Sequence, residues 1–301
     1  MFVSGPTPLE GAPRLAAALG LSAGDLLVKR DDLIGLGGGG NKARKLQVTM
    51  GEARRAEATT VVTTGAAQSN HARLTAAAGA RLGLRVVLVL SGDAPEPERG
   101  NVLLDRLLGA EIVWSGADSA EDVADALELG STGDVVHRIP FGGSSPASAE
   151  AYVAAGRELV AQQRDVRHVV VAVGSGGTMA GLATALGADR VLGVDCGAIP
   201  DARETVGNLI AAMRPDAHPA AAELRLDRSQ VGTGYEHIGP ATRAALSLAA
   251  RTEGIVLDPT YTGRAMAGLV DAVAAGRIRP GERTVFLHTG GLPGLFGHPE
   301  Y

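Results

Sequence analysis

The sequence predicts an α/β protein with a mostly parallel sheet, and three observations support this fold class. Short runs rich in Val, Leu, Ile and Thr alternate with longer alanine-rich stretches of helical period. Some runs are apolar throughout, such as VVVAV at 169–173, which is typical of strands covered on both faces. Glycine is abundant, with 42 among 301 residues, and its clusters follow the short runs. Ligands of open parallel sheets bind beyond the carboxyl ends of strands, so we expect the glycine there to shape a binding site.

Nine strands are expected where a β-branched or apolar run stops at glycine, proline or charge. They are 26–32, 59–65, 85–91, 111–115, 134–139, 168–174, 190–195, 255–258 and 283–289. Nine helices are expected where apolar residues recur every three or four positions. They are 41–56, 69–82, 99–108, 119–128, 147–164, 178–187, 200–213, 238–253 and 262–275.

Composition excludes several classes of function. The net charge is −5 and aromatic residues make up 3%, so we expect neither a nucleic-acid partner nor binding to an anionic membrane. No apolar run approaches the length of a spanning helix. One cysteine, Cys196, and no basic-then-apolar leader before Pro6 predict a cytoplasmic protein. Without H-E-x-x-H or paired cysteines, we expect no metal.

The first candidate segment is KRDDLIGLGGGGNKARKLQ at 29–47. Four glycines, Gly37 to Gly40, precede Asn41, which can cap a helix, and Lys42. The segment nearly matches a phosphate-binding G-x-x-x-x-G-K-[ST] loop, but Asn41 intrudes and Ala43 replaces the hydroxyl residue. Two interpretations stay open: a structural turn with solvated basic residues, or a loop that binds an anion or a cofactor.

A second segment begins a helix with four polar residues in succession, Gln68, Ser69, Asn70 and His71. One of them is enough for an N-cap, so the surplus points to hydrogen bonds offered to a ligand.

The third segment, at 168–195, is the clearest phosphate site in the sequence. A buried strand leads through GSGGT at 174–178 into a helix, whose free N–H groups and positive end can hold an anion. Asp195 ends the next strand, as in a dinucleotide-binding fold, but Met179 replaces the third glycine of that fingerprint. Glycine-rich loops also hold Tyr235 and Tyr261, two of only four tyrosines.

Five strings in order, GGGGNKARKLQ, TTGAAQSNHAR, VGSGGTMAGL, LDPTYTGRAMAGL and FLHTGGLPGLF, resemble the D-cysteine desulfhydrase and 1-aminocyclopropane-1-carboxylate deaminase family of pyridoxal-phosphate (PLP) enzymes. The resemblance covers residues 5–297. It implies the tryptophan-synthase-β fold (PLP fold type II), with two open-sheet α/β lobes and the cofactor in the cleft between them. Residues 1–45 and 150–301 would form the large cofactor-binding domain and 46–149 the small domain. A homodimer is also implied.

The resemblance assigns cofactor contacts by position. Lys42 would be the Schiff-base lysine, Asn70 would hold the ring hydroxyl and Thr289 the pyridine nitrogen. The phosphate would be held by Lys45, Ser175, Gly176, Gly177 and Thr178.

The substrate, a small amino acid, would have its carboxylate held by Ser69, Asn70 and His71. Tyr235, Tyr261 and Thr262 would lie beside it. The residues expected to take part in catalysis are Lys42, Ser69, Tyr235 and Tyr261, with Lys42 or a neighbouring hydroxyl removing the α-proton.

One position separates the two activities of the family. The ring-opening deaminases resemble this chain but carry Glu where it has Thr262, which favours α,β-elimination, with D-cysteine giving pyruvate, hydrogen sulfide and ammonia. The alternatives are 1-aminocyclopropane-1-carboxylate deaminase and L-cysteate sulfo-lyase. From other classes, an NAD-dependent oxidoreductase using 174–195 and a non-catalytic ligand sensor stay open.

Overall fold

A computed structural model of the protein describes residues 2–130, 133–216 and 221–300. Its strands are β1 (Leu9–Gly11), β2 (Leu26–Arg30), β3 (Thr60–Gly65), β4 (Arg85–Leu90), β5 (Glu111–Trp114), β6 (Val136–Arg138), β7 (His168–Val173), β8 (Val191–Asp195), β9 (Arg225–Asp227) and β10 (Thr284–His288). Its α-helices are α1 (Pro13–Ala18), α2 (Lys42–Arg55), α3 (Asn70–Leu82), α4 (Gly100–Leu107), α5 (Ala120–Gly130), α6 (Pro146–Gln162), α7 (Gly177–Leu186), α8 (Ala202–Met213), α9 (Pro240–Glu253), α10 (Thr262–Ala274) and α11 (Leu292–Gly297).

The strands form two sheets, which confirms the predicted α/β class. The larger sheet has the order β1-β2-β10-β7-β8-β9, and only β1 runs antiparallel to its neighbour. The smaller sheet has the order β5-β4-β3-β6 and is parallel throughout. Parallel strands need helical crossovers, so the alternation in the sequence follows directly from this topology.

Both faces of the larger sheet are buried, which explains the apolar runs of its strands. Val170 and Ala172 of β7 lie in one apolar cluster with α9 and α10. The alternate residues Val169, Val171 and Val173 lie in another with α6 and α7. Because side chains alternate across a strand, two helical layers require apolar residues at every position.

The prediction of a strand at 255–258 is wrong. None of the described strands pairs with this segment, although Ile255 and Leu257 are buried in the core. Its last residue instead turns the chain, since the amide of Asp258 donates to Thr262 Oγ1 (2.8 Å) and the carbonyl of Asp258 accepts from Gly263 (2.8 Å).

Four short elements were not predicted: β1, β9, α1 and α11. Each has only three or six residues, too few for a periodic pattern. The predicted strand at 26–32 also ends early, because residues 31–33 form a 3₁₀ turn. None of the helices in the described ranges combines the length and apolar character that crossing a membrane requires. The lobe boundaries at 46 and 149 stay a prediction.

Candidate active site

A cavity of about 260 Å³ collects segments from both sheets. Eleven of the thirteen residues predicted to bind cofactor or substrate, or to catalyse, line it: Lys42, Lys45, Ser69, Asn70, His71, Ser175, Gly176, Thr178, Tyr235, Tyr261 and Thr289. The other two, Gly177 and Thr262, are not among its lining residues. The carboxyl ends of β3, β7, β8 and β10 lead into these segments, as expected for a ligand site of parallel sheets.

The four-glycine loop turns the chain but does not line the cavity. Gly39 has φ +82°, and a Cβ there would lie 2.0 Å from the carbonyl oxygen of Asp32. The buried guanidinium of Arg73 donates to the carbonyl oxygens of Gly37 and Gly39, the latter at 3.0 Å. The structure therefore supports the structural interpretation for the glycines but contradicts its solvated basic residues, because Arg44 and Lys45 are buried and Lys45 lines the cavity with Lys42. The function of the glycines is to set the start of α2, and with it Lys42.

Asn41 does not cap α2 through its side chain, contrary to the sequence interpretation. Its backbone φ and ψ are already helical, and its Nδ2 donates to Thr178 Oγ1 across the cavity wall at 3.1 Å. Its amide donates to the carbonyl of Thr289 at 2.9 Å. Asn41 thus joins the loop after β10 to the start of α7.

Two lysine amines, those of Lys42 and Lys45, enter the cavity. Lys42 Nζ donates to the carbonyl oxygen of Gly142 (3.1 Å), and Lys45 Nζ donates to Ser144 Oγ (2.7 Å). Burial lowers the pKa of Lys42 to about 8. Burial, and then the charge of Lys42, hold the pKa of Lys45 well below its usual range. None of the described lining residues is acidic, so the cavity offers positive charge to an anion.

The start of α7 completes an anion cradle beside Lys45. Gly176 is in the left-handed region with φ +85°, and the first turn of the helix has N–H groups without intrahelical acceptors. Ser175 Oγ lies 2.8 Å from Ser144 Oγ, which also accepts from the amide of Gly177 at 3.3 Å. A Cβ on Gly177 would lie 3.0 Å from Lys45 Nζ, so glycine keeps this space open.

These observations fit pyridoxal phosphate. Its phosphate matches the cradle formed by Lys45, Ser175 and the start of α7, and the depressed pKa of Lys42 suits an amine that must attack a carbonyl carbon. Thr289 lines the same cavity, where its hydroxyl can meet a ring nitrogen. No group of three or more His, Cys, Asp or Glu side chains able to hold a metal occurs within residues 2–130, 133–216 and 221–300.

The start of α3 presents Ser69 and Asn70 to the cavity. Ser69 is the N-cap, since its Oγ accepts from the amide of Ala72 at 3.1 Å. Its hydroxyl proton stays available to a ligand. The first amides of this helix also point outward without intrahelical partners, a suitable arrangement for a substrate carboxylate.

His71 is buried and held in one tautomer. The Thr63 hydroxyl donates to the carbonyl of Ile139 (2.9 Å) and lies 3.0 Å from His71 Nε2. Because a hydroxyl has one proton, Nε2 must be the donor of that pair. Burial and the charges of Lys42 and Lys45 lower the pKa of His71, so the ring is neutral and its Nδ1 is an acceptor.

Tyr235 and Tyr261 form a pair at the wall formed by the larger sheet. Their hydroxyl oxygens are 2.6 Å apart, and their rings meet edge to face with centroids 6.0 Å apart. Burial raises the pKa of both phenols, so both keep their protons. Arg264 holds the Tyr235 side of the pair by donating to the carbonyls of Cys196 (2.6 Å) and Tyr235 (2.8 Å). It was missed from the sequence because a single arginine in a helix carries no signal.

Thr262 is fully buried and does not line the cavity. Its Oγ1 donates to Asp258 Oδ1 at 2.6 Å, while the other carboxylate oxygen accepts from the amide of Tyr261 at 2.8 Å. Asp258 therefore sets the position of Tyr261 at the start of α10. Contact of Thr262 with a substrate stays a prediction.

Several other cavity residues were not predicted. Phe141 and Gly142 come from the turn after β6, and Ser91 follows β4. Gly142 has φ +61°, and a Cβ there would lie 2.2 Å from Ser175 Oγ. The glycine pair at 142–143 after a predicted strand was the available signal, because tight approach of two loops requires glycine.

Comparison with known proteins defines the class. Residues 2–290 match the model of the family described as pyridoxal-phosphate dependent enzyme. Two relatives named "Putative 1-aminocyclopropane-1-carboxylate deaminase" come from Pyrococcus abyssi and Pyrococcus furiosus. They are 39% and 38% identical to this chain, and each alignment covers 98% of it and 92% of the relative. The chain therefore belongs to the pyridoxal-phosphate-dependent enzymes and, among them, to the 1-aminocyclopropane-1-carboxylate deaminase and D-cysteine desulfhydrase family.

Solved structures agree. The crystal structure of an "ACC deaminase homologue" superposes with a TM-score of 0.88 at 35% identity, covering 100% of this chain and 94% of that one. Threonine deaminase isoform 2 from Solanum lycopersicum superposes with a TM-score of 0.70 at 23% identity, covering 96% and 80%, and shows the shared fold alone. The NAD-dependent alternative finds no support: the carboxylate of Asp195 accepts from the amide of Gly197 at 2.8 Å within its own loop.

Proposed function

We propose that this protein is a PLP-dependent deaminase that releases ammonia from a small amino acid, with 1-aminocyclopropane-1-carboxylate as the first candidate substrate. The relatives that match 98% of the chain carry this activity in their names, which favours it over the D-cysteine activity predicted from the sequence. The observation that carries the proposal is the pair of half-buried Lys42 and buried Lys45 in a cavity lined by no described acidic residue. Such a cavity suits two anions, a phosphate and an amino-acid carboxylate.

Each group has a place in this reaction. PLP, when bound, withdraws electrons from the α-carbon of an amino acid attached to it. Lys42 holds the cofactor through its amine and, once displaced by the substrate amine, is a base within the cavity. Lys45, Ser175 and Thr178 hold the phosphate.

The substrate side of the cavity orients the amino acid and moves protons. The first amides of α3, with the Ser69 hydroxyl, bind the carboxylate. The protonated pair Tyr235 and Tyr261 lies on the wall formed by the larger sheet, where a phenol can donate to a group that gains negative charge. Opening the cyclopropane breaks the bond between the α-carbon and one ring carbon, which becomes a methyl group by gaining a proton. Water then replaces the amino nitrogen, so that one amino acid and one water give ammonia and a four-carbon keto acid.

D-cysteine is the second candidate, because of Thr262. In the ring-opening enzymes that this chain resembles, Glu follows the tyrosine. Thr262 stands at that position here; it brings no acid or base, and its hydroxyl is held by Asp258. A thiolate leaves a β-carbon without help from such a group. D-cysteine and water would give pyruvate, hydrogen sulfide and ammonia.

A side-by-side assay tests both candidates. Purified protein with PLP is given 1-aminocyclopropane-1-carboxylate, D-cysteine, L-cysteine and L-cysteate, and the keto acid is identified. We expect the four-carbon keto acid from the first, at a rate above those of the others, and no product from Lys42→Ala. Faster pyruvate release from D-cysteine would establish the second candidate, and no keto acid from any of the four would favour a ligand sensor.

We also propose that the protein forms a homodimer and that it is located in the cytoplasm. Leu103 and Leu107 of α4 and Leu292 and Phe296 of α11 are large apolar side chains exposed on two helices that pack together. The single thiol, Cys196, is buried and free, as in proteins of a reducing compartment. Light scattering of wild type and Leu107→Glu tests the dimer; monomeric wild type would exclude it.

A further inference from the structure

Asn101, at the start of α4, is fully buried behind the cavity wall and contacts the segment that carries Asn70. Its backbone amide donates to Gln68 Oε1 at 2.8 Å. Its side-chain Nδ2 donates to the backbone carbonyl of Gln68 at 2.9 Å and to Asn70 Oδ1 at 3.1 Å. Asn101 is not itself a lining residue.

These contacts determine which way two amides point. A backbone carbonyl only accepts, so the Asn101 atom beside the Gln68 carbonyl must be the NH₂ group. The same NH₂ group faces Asn70, so the Asn70 atom beside it must be the acceptor oxygen. The NH₂ group of Asn70 is thereby left for the cavity, which Asn70 lines.

This arrangement leaves a buried polar atom without a partner among the described residues, Asn101 Oδ1. Such an atom destabilises a fold, and its retention is expected where function needs the geometry. Turning the Asn101 amide over would place its oxygen against the carbonyl of Gln68, so the amide has no better orientation available.

We propose that Asn101 is a positioning residue, which holds the Asn70 amide so that a hydrogen-bond donor faces the anionic oxygen of the bound cofactor ring. The inference rests on the proposed function, because it assigns Asn70 to that oxygen. A donor on an ionisable oxygen stabilises its charged form, so Asn101 lowers the pKa of the cofactor oxygen through Asn70. Asn101 touches neither cofactor nor substrate.

PLP titration of the purified protein, followed by visible absorbance, tests the proposal. We expect Asn101→Ala to weaken PLP binding about tenfold, the usual effect of losing one good hydrogen bond to a charged group. The pH at which the bound cofactor changes its absorbance should rise. Asn101→Asp should act in the same way, because a side-chain carboxylate cannot donate to the Gln68 carbonyl or to Asn70 Oδ1. Val102→Ala, a buried apolar change on the same helix, is the matched control and should leave both readouts unchanged.

Asn70 supplies the decisive comparison. Asn70→Asp keeps the oxygen that faces Asn101 and loses the donor that faces the cavity, so we expect weakened PLP binding with unchanged thermal stability of the cofactor-free protein. In an Asn70→Ala background, Asn101→Ala should change PLP affinity less than about twofold, since coupled residues are not additive.

Three results would overturn the proposal: equal effects of Asn101→Ala and Val102→Ala, a full effect of Asn101→Ala without Asn70, or lower thermal stability of cofactor-free Asn70→Asp. Wild-type protein that binds no PLP would overturn the proposed function, and this inference with it. That outcome is separate from the first three, which all need a wild type that binds PLP.

Discussion

The chemistry of the cavity depends on the side-chain amine of Lys42. Burial lowers its pKa to about 8, and Lys45 one turn later on the same helix adds a second positive charge. Only the neutral amine attacks a carbonyl carbon. A lysine left in water would be almost fully protonated at neutral pH, so the cavity raises the reactive fraction of Lys42.

The pH dependence of cofactor uptake follows from that pKa. Lys42 is protonated below about pH 8 and neutral above it. We therefore expect the rate of PLP incorporation into the cofactor-free protein to rise between about pH 6.5 and 8 and to level off above. Stopped-flow absorbance measures this rate. A flat profile, or the same profile in Lys42→Ala, would show that another group accepts the cofactor.

The Thr63 hydroxyl should stabilise the fold through His71. Thr63→Val removes its bonds to His71 and to the carbonyl of Ile139, and leaves two buried groups unpaired. We expect a loss of about 2 kcal/mol in the free energy of unfolding, measured in urea. Thr60→Val is the matched control on the same strand, because Thr60 Oγ1 is buried without a partner among the described residues. It should cost nothing; equal losses would refute the proposed role of Thr63.

At the scale of elements, the glycine loop places α2 through backbone geometry. Gly39 combines φ +82° with 2.0 Å between a would-be Cβ and the Asp32 carbonyl. Gly39→Ala should lower the free energy of unfolding by about 3 kcal/mol, from strain and overlap together. Gly35→Ala is the control, since Gly35 has negative φ and nothing within 4 Å of its Cβ position. Comparable stability of the two variants in urea would contradict this account of the loop.

The long elements are predictable from the sequence because their patterns are local. The apolar run of β7 follows from burial of both faces of the strand. The alanine-rich period of α6 follows from burial of one face of the helix. The strand prediction at 255–258 is wrong because a buried segment that pairs with no described strand leaves the same apolar pattern. Strand pairing depends on which edges are free, and a single segment does not contain that information.

The candidate site was predictable to the extent that glycine and polar residues cluster after strands. Ser175 and Asn70 stand in such clusters, and both line the cavity. Asn101 and Arg264 could not be found in this way, because each acts through backbone carbonyls of distant segments. Only the folded chain brings those carbonyls to them.

For the whole molecule, the cavity is a basic site within an acidic chain. The net charge is −5, yet two lysines meet in the cavity without a described acidic residue on its wall. An anionic cofactor that relieves this repulsion binds the folded state alone. We expect PLP to raise the thermal midpoint, with about 2.7 kcal/mol of added stability at a hundredfold excess over Kd. Calorimetry with increasing PLP measures this, and a midpoint independent of PLP would contradict it.

The attachment point of the cofactor tests the central claim most directly. Borohydride treatment of the holoprotein fixes PLP on the lysine that holds it. Peptide mass spectrometry then identifies that lysine. We expect the cofactor mass on the peptide that contains Lys42 and on no other. Attachment to Lys45, or to a lysine outside the cavity, would contradict the account.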